Sequence, residues 1–428
     1  MINILLKWLC MVLSVRTLVI PFGVMAAIVF STASSASAAN TWYVSKLATG
    51  TVHDGTSWPT GWWDFNQIDW TQVQPGDRIE IDAGPLPQPG FVSHVIYNTS
   101  LNVQKSNITV EVSNQPGHNG GIASIQSQGG GYGINIGNNS NVTVQGSKWV
   151  PAGIPQMVPN LDVQGFGTGI LVGSAASRIS LQNIDVEWCG TGLNLQGSTS
   201  TCNYLLIHDN YTANVNYSPN GASWVYLNHS WIFSQNQLSA GPGIVTNGQG
   251  ITGKTNLILY YSILGPGLTT AIQHNASNSE VDAIEVLSIM PSVTAVQTRN
   301  TSSIVYLNGC TSFQTSLNRF NQAAACLSFT EPGQYIWHSI IYGGVVNVVG
   351  NNLLGNDICQ FATTGNTQVL FPFMYDPQFL SDVSQIGPNA SFSQLCGLNF
   401  ATQPGSPAWL AGVKSPSSVS QYLSGVPH

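Results

Sequence analysis

Charged side chains are scarce in this chain: they make up 7% of its 428 residues, and Lys and Arg together number only 11. Phosphate backbones are bound by clustered cations, so nucleic acid is excluded as a partner. Cysteine is sparse as well, with seven in all, none in a CxxC pair or at a zinc-finger spacing from histidine. Helical periodicity is nearly absent between residues 100 and 350, which excludes a helix bundle. Long apolar runs are missing too, apart from Leu18–Phe30 near the start, and that one is shorter than the ~20 residues a spanning helix needs.

That run follows Lys7 and Arg16 and leads into Ala36-Ser37-Ala38, the pattern of a secretory signal peptide over residues 1–39, with an uncleaved anchor as the alternative. The expected mature chain is secreted, periplasmic or at the cell surface, monomeric and without a membrane span. It keeps six cysteines, and an even number in an exported chain favours disulfides. Pairing by adjacency gives Cys189–Cys202, Cys310–Cys326 and Cys359–Cys396, although other connectivities are open. Asn, Gln, Ser, Thr and Gly carry the polarity that charge does not, a surface suited to carbohydrate hydroxyls.

What fills the middle of the chain is short β-branched segments alternating with Gly, Asn and Ser clusters. Two columns of strands recur. One pairs apolar residues at spacing two: Ile179/Leu181, Leu205/Ile207, Val225/Leu227, Leu257/Leu259, Ile284/Val286, Val305/Leu307 and Tyr335/Trp337. The other starts at Ile170, Leu193, Val215, Ile244, Ile272 and Val296. Two interleaved ladders that advance by one coil predict a solenoid, because each repeat buries its apolar residues only against its neighbours. An antiparallel sandwich is the competing fold, but the strands lie too far apart for tight hairpins. The expected fold is all-β, a right-handed parallel β-helix with an N-terminal cap: residues 40–84 cap and first coil, 85–350 central coils, 351–428 last coils and tail. Trp58, Trp62, Trp63 and Trp70 are read as sealing the first coil rather than stacking on sugars.

The segments WYVSKLATGTVHDGTSWPTGWWDF from Trp42, VQPGDRIEIDAG from Val73, HSIIYGG at His338, DPQFLSD at Asp376 and PGSPAWLAG at Pro404 resemble the pectate-lyase-like superfamily of β-helix proteins. The resemblance implies the fold and a polysaccharide partner, and Ca²⁺ if the chemistry is that of a lyase. It implies no activity residue by residue, since the WxDH and RxPxxR runs of pectate lyases and the NTD, DD and RIK runs of polygalacturonases are missing.

Alternation along the second column turns two files of side chains outward. They are Leu171, Asn194, Asn216, Val245, Gln273 and Gln297, and beside them Gly173, Gln196, Ser218, Asn247, Asn275 and Arg299. Such amides either bind sugar hydroxyls, with Arg299 reaching a uronate carboxylate in a catalytic role, or only stabilise the stack. On the other column Asp185 and Glu187 share one face of a strand, and the next coil brings His208 and Asp209 near. Two carboxylates flanking a glycosidic bond hydrolyse it; the competing reading is a solvated outer face. Function is therefore expected to be polysaccharide cleavage, by a lyase or a glycoside hydrolase, with non-catalytic binding or adhesion as the alternative.

Overall fold

The computed structural model describes residues 39–406 except 86–92, 152–156, 198, 220, 236–240, 249–254, 301, 314–324, 330–333, 338, 349–352, 365–367, 374–378, 380, 382, 384–385, 387–389, 402 and 405. The expected signal peptide, up to residue 38, lies outside the described residues. Among them almost every strand joins one parallel sheet that winds through the molecule, and the one antiparallel pair is the small hairpin Trp149–Pro151 with Met157–Pro159. This is a parallel β-helix.

Each full coil has three faces where two were expected. The first face stacks Arg78–Ile81, Ile108–Val112, Val142–Gln145, Ser177–Gln182, Thr199–Asn203, Ser223–Asn228, Thr255–Tyr260, Ser279–Ile284 and Ser303–Asn308. The second stacks Ile184–Glu187, Leu206–His208, Trp231–Phe233, Ile263–Leu264, Leu287–Ile289 and Thr311–Phe313. The third stacks Thr191–Leu195, Ala213–Tyr217, Ile244–Thr246, Thr270–His274 and Thr294–Thr298. Two long strands, Ile122–Gly137 and Leu161–Val172, run through the corner between the second and third faces.

Inward residues stack like on like. Leu193, Val215, Ile244, Ile272 and Val296 are register partners on the third face, in the order the sequence pattern predicts. On the first face Leu181, Cys202, Leu227, Leu259, Ala283 and Leu307 form the corresponding file. Three assignments on that face are corrected. Leu205 and Ile207 belong to the second face, where Leu206 pairs with Trp231. Near Ile284 and Tyr335/Trp337 the inward residues of the first face are Ala283 and Ile336, while Val286, itself in the core, lies beyond the corner. The cause is the corner between the first two faces, which is a single left-handed residue: Asn183, Tyr204, His229, Tyr261 and Glu285, with φ of 48–54°, and then Gly309. A one-residue corner hides the boundary between strands, so apolar spacing reads across it. The strain of a left-handed side chain, about 1–2 kcal/mol, is offset by stacking between coils: the rings of Tyr204, His229 and Tyr261 lie 5.0 and 5.2 Å apart in succession.

The disulfide assignments are also corrected. Cys189, Cys202 and Cys396 are buried free thiols, so neither Cys189–Cys202 nor Cys359–Cys396 forms. Cys202 points inward from the first face while Cys189 follows the second, so their separation along the chain carries them to different sides of a coil. Cys310 directs its sulfur to Ala283 O at 3.2 Å, and the side chains of Cys326 and Cys359 lie outside the described residues. Of the tryptophans, Trp62 and Trp70 are buried in the interior beside the first strand, with Trp62 stacked on Trp42 at 5.3 Å, whereas Trp63 is exposed.

Outside the second face lies another apolar layer. Trp231, Phe233, Ile263, Leu287, Ile289, Phe313 and Ile340 project outward and are covered by Phe379, Val383, Leu395, Leu398 and Phe400 of the C-terminal segment. That segment includes the short helix Phe392–Cys396, opened by a capping box between Ser391 and Gln394.

The corner between the second and third faces is held by buried Asn210. Its Oδ1 accepts from Cys189 N at 2.9 Å, and its Nδ2 donates to Val186 O at 3.1 Å and to Asn214 Oδ1 at 2.9 Å. Gly192 makes room for it, since a Cβ there would lie 2.7 Å from Asn210 Nδ2. Asn210→Ala removes three buried hydrogen bonds, two of them to backbone groups, so we expect a loss of about 2 kcal/mol in urea unfolding, with the slope of the transition unchanged.

Candidate active site

The strand Ile184–Glu187 presents Asp185 and Glu187 outward on the second face because Ile184 and Val186 are fixed in the core. Register then places Asp162 beside Asp185 on one side, and Glu187 beside His208 on the other. The imidazole gathers three carboxylates: Nδ1 donates to Asp209 Oδ2 at 2.8 Å, while Nε2 lies 3.3 Å from Asp185 Oδ1 and 3.6 Å from Glu187 Oε2. Its ring lies flat on Phe233, 4.6 Å away and inclined by 11°. Asp209 Oδ1 is held in turn by Ser234 Oγ and Gln235 N, both at 2.8 Å. The expected quartet of Asp185, Glu187, His208 and Asp209 therefore forms one cluster.

Asp162 is a member that the sequence reading missed. Its signal is present: LDVQ at Leu161 repeats as IDVE at Ile184, at the same spacing that separates Ile170 from Leu193. Asp162 Oδ2 accepts from Ser124 Oγ and, at 2.7 Å, from Gln164 Nε2. Arg299 is not a member. It stands exposed on the third face four coils further on, where its Nε donates to Gln297 Oε1 at 3.0 Å.

Burial differs sharply within the cluster. Side-chain exposure is 7% for Asp185, 5% for His208 and 1% for Asp209, but 23% for Glu187, which is the member that reaches solvent. Burial, reinforced by Asp185, pushes the Glu187 carboxyl up to about 7. Burial and then Asp185 and Glu187 raise Asp162 to about 8. For His208 burial opposes the charge, but Asp185, Asp209 and Glu187 outweigh it and hold the imidazole up to about 10. At neutral pH the cluster thus contains a buried imidazolium and a partly protonated, partly exposed carboxylic acid, a pairing suited to acid catalysis.

Ca²⁺ does not fit here. Asp185 and Glu187 converge on His208 Nε2 instead of on a shared open position, and among the described residues no group of three or more His, Cys, Asp or Glu is arranged to hold a metal.

The amide files of the third face also stand in register: Asn194, Asn216, Val245, Gln273 and Gln297 are successive partners. The amides bond to one another. Asn216 Nδ2 donates to Asn194 Oδ1 at 3.1 Å, Asn247 Nδ2 to Asn216 Oδ1 at 2.9 Å, and Asn275 Nδ2 to Asn247 Oδ1 at 3.1 Å. Gln273 joins through Asn275 at 3.3 Å, Gln196 is half-buried beside the row, and buried Val245 interrupts the first file. Much of the row's hydrogen-bonding capacity is spent on holding coil to coil.

No described protein family and no curated protein matches this sequence. Among solved structures the chain is similar to pectate lyase Pel9A, with 13% identity and a TM-score of 0.45 over 87% of this chain and 91% of that one. It is also similar to the GH136 lacto-N-biosidase from Eubacterium ramulus, in native and selenomethionine crystals, with 10% identity and a TM-score of 0.37 over 77% of this chain and 68% of that one.

The raised His208 value has a testable consequence. A histidine near 10 when folded and 6.5 in its ordinary state contributes stability that is fully present below pH 6.5 and is lost as pH rises through about 10. The melting temperature of the parent chain relative to His208→Gln should therefore be flat below pH 6.5 and decline between there and about pH 10.

Proposed function

We propose that this chain is an exported glycoside hydrolase that cleaves a polysaccharide at the second face of its β-helix. The observation that carries this reading is the convergence of Asp185 and Glu187, from one strand, on His208, with Glu187 alone turned to solvent. Both carboxyls approach one imidazole nitrogen, Asp185 at 3.3 Å and Glu187 at 3.6 Å, which holds the pair together beside the solvent that Glu187 reaches. Glu187 gives its proton to the leaving-group oxygen. Asp185, beside the imidazolium, faces the positive charge that develops on the sugar ring, and water adds to that ring carbon as the bond to the leaving group breaks.

Elimination from a uronate is less well supported by these residues. That reaction needs a base for the proton beside the carboxylate and a cation to neutralise the carboxylate itself. His208 is already protonated at neutral pH, and among the described residues no Lys or Arg forms an ion pair with Asp162, Asp185 or Glu187. The imidazolium nitrogens already face Asp209, Asp185 and Glu187, which leaves no cation for a uronate carboxylate, so the substrate is expected to be a neutral polysaccharide. A second reading, binding without cleavage, is favoured by the row from Asn194 to Asn275, which starts one corner beyond Glu187 in the same coil.

The two readings separate on a panel of neutral and acidic polysaccharides, assayed for new reducing ends and for the ultraviolet absorbance of unsaturated uronates. Hydrolysis yields reducing ends alone, and Glu187→Gln should lower the rate by about 10²–10⁴ while binding persists. Unsaturated products would sink the hydrolytic reading; binding with no new ends from any polymer would favour the second.

A further inference from the structure

We propose that Asp162 is a positioning residue of this site: a neutral carboxylic acid that donates an Oδ1–H hydrogen bond across one coil to Asp185, holding the Asp185 carboxyl in place. The inference rests on the hydrolytic reading for its purpose, but the proton arrangement stands on geometry. Asp162 and Asp185 are register partners on adjacent coils, which are about 4.8 Å apart in any sheet. Each is 5% exposed. Two carboxylates held so close and so deep do not both ionise, and they titrate as a pair.

The position of the proton follows from the remaining contacts. Asp162 Oδ2 already accepts from Ser124 Oγ and Gln164 Nε2, and Ser124 is itself supported by Gln126 Nε2 at 2.8 Å. Asp162 Oδ1 is buried and has no hydrogen-bond partner, and neither has Asp185 Oδ1, apart from the His208 contact at 3.3 Å. A carboxyl with one oxygen saturated by donors and the other bare carries its proton on the bare one. The groups facing Asp162 are Asp185 and Glu187 from the next coil, Ser124 and Gln126 from the preceding coil, Gln164 from its own strand and the Cys189 thiol at the corner. None of them is a cation that would favour ionisation. The elevation of Asp162 to about 8 agrees with this geometry.

With the donor in place, Asp185 has a partner on each side, imidazolium and carboxylic acid. Those two partners hold Asp185 in place, and the proton that exchanges with solvent is left to Glu187. Deprotonating Asp162 above about pH 8 would set two buried anions against each other.

The experiment is a carboxyl-carbon NMR titration of the mature chain labelled at aspartate, from about pH 4 to about pH 10, on the parent, Asp162→Asn and Asp162→Leu. One aspartate of the parent should titrate near pH 8 and be missing from both variants. Asparagine keeps a neutral donor and leucine does not, so at neutral pH the Asp185 carboxyl carbon should resonate nearer its parent position in Asp162→Asn than in Asp162→Leu. Because a proton held when folded but lost when unfolded makes stability fall as pH rises, the melting temperature of Asp162→Asn over the parent should grow between about pH 4 and about pH 8 and then level off. If no aspartate titrates above about pH 6, or if Asp185 behaves alike in both variants, the proposal is overturned. Should the leucine variant not fold, the parent and the asparagine variant still decide. No substrate enters the titration, so a raised Asp162 without hydrolysis overturns only the function proposed above, and hydrolysis without a raised aspartate overturns only this inference.

Discussion

In-register parallel stacking is the constraint from which the rest of this structure follows. Each coil can hide its apolar side chains only between the coils above and below, and parallel pairing puts each residue beside its counterpart. For Leu193, Val215, Ile244 and Ile272 that is favourable, since like apolar chains pack into a continuous core. For amides it is neutral to favourable, because the donor of one meets the acceptor of the next, as from Asn194 to Asn275. For carboxylates it is costly, because like charges directly opposite repel. The single geometric rule therefore produces a dry core, a self-satisfied amide row and, at Asp162 and Asp185, an electrostatic conflict that only a proton relieves.

The third face was legible from sequence because its signals agree. Inward β-branched and leucine residues repeat at near-constant steps and the outward residues form two clear files, so both register and direction follow from period two. The first face was less legible for a definite reason. Asn183 alone separates Ser177–Gln182 from Ile184–Glu187, and Tyr204 plays the same part in the next coil. No Gly-Pro or Asn-Gly punctuation marks the corners at Asn183 and Tyr204, so Leu205 and Ile207 looked like continuations of a face they had already left.

The cluster was partly legible for the same reason. Asp185, Glu187, His208 and Asp209 lie within two neighbouring coils that are close in sequence, and simple alternation brings them together. Asp162 sits before the corner that merges two faces into the long strand Leu161–Val172, so its place emerges only when LDVQ is aligned with IDVE. The Cys189–Cys202 pairing failed on a different count: parity of cysteines speaks of compartment, but pairing needs side chains directed at each other, and an inward position on the first face does not meet one beyond the second.

Where the cluster ends is set by packing. Along the outward side of the second face, Ser124, Asp162 and Asp185 give way to Leu206, Trp231, Ile263 and Leu287, and the C-terminal segment covers the apolar part. His208 stands at the boundary, with three carboxylates at its edge and Phe233 under its ring. Apolar cover excludes water from that side and lowers the local dielectric response, which strengthens each charge interaction in the cluster and makes an unpaired charge there expensive. The chain holds such groups at a cost in stability, and a stack of leucines and valines in the same positions would be simpler to fold. Sites that break the local rule of a fold in this way are where function is to be sought, and here the break falls on the one carboxyl, Glu187, that keeps contact with solvent.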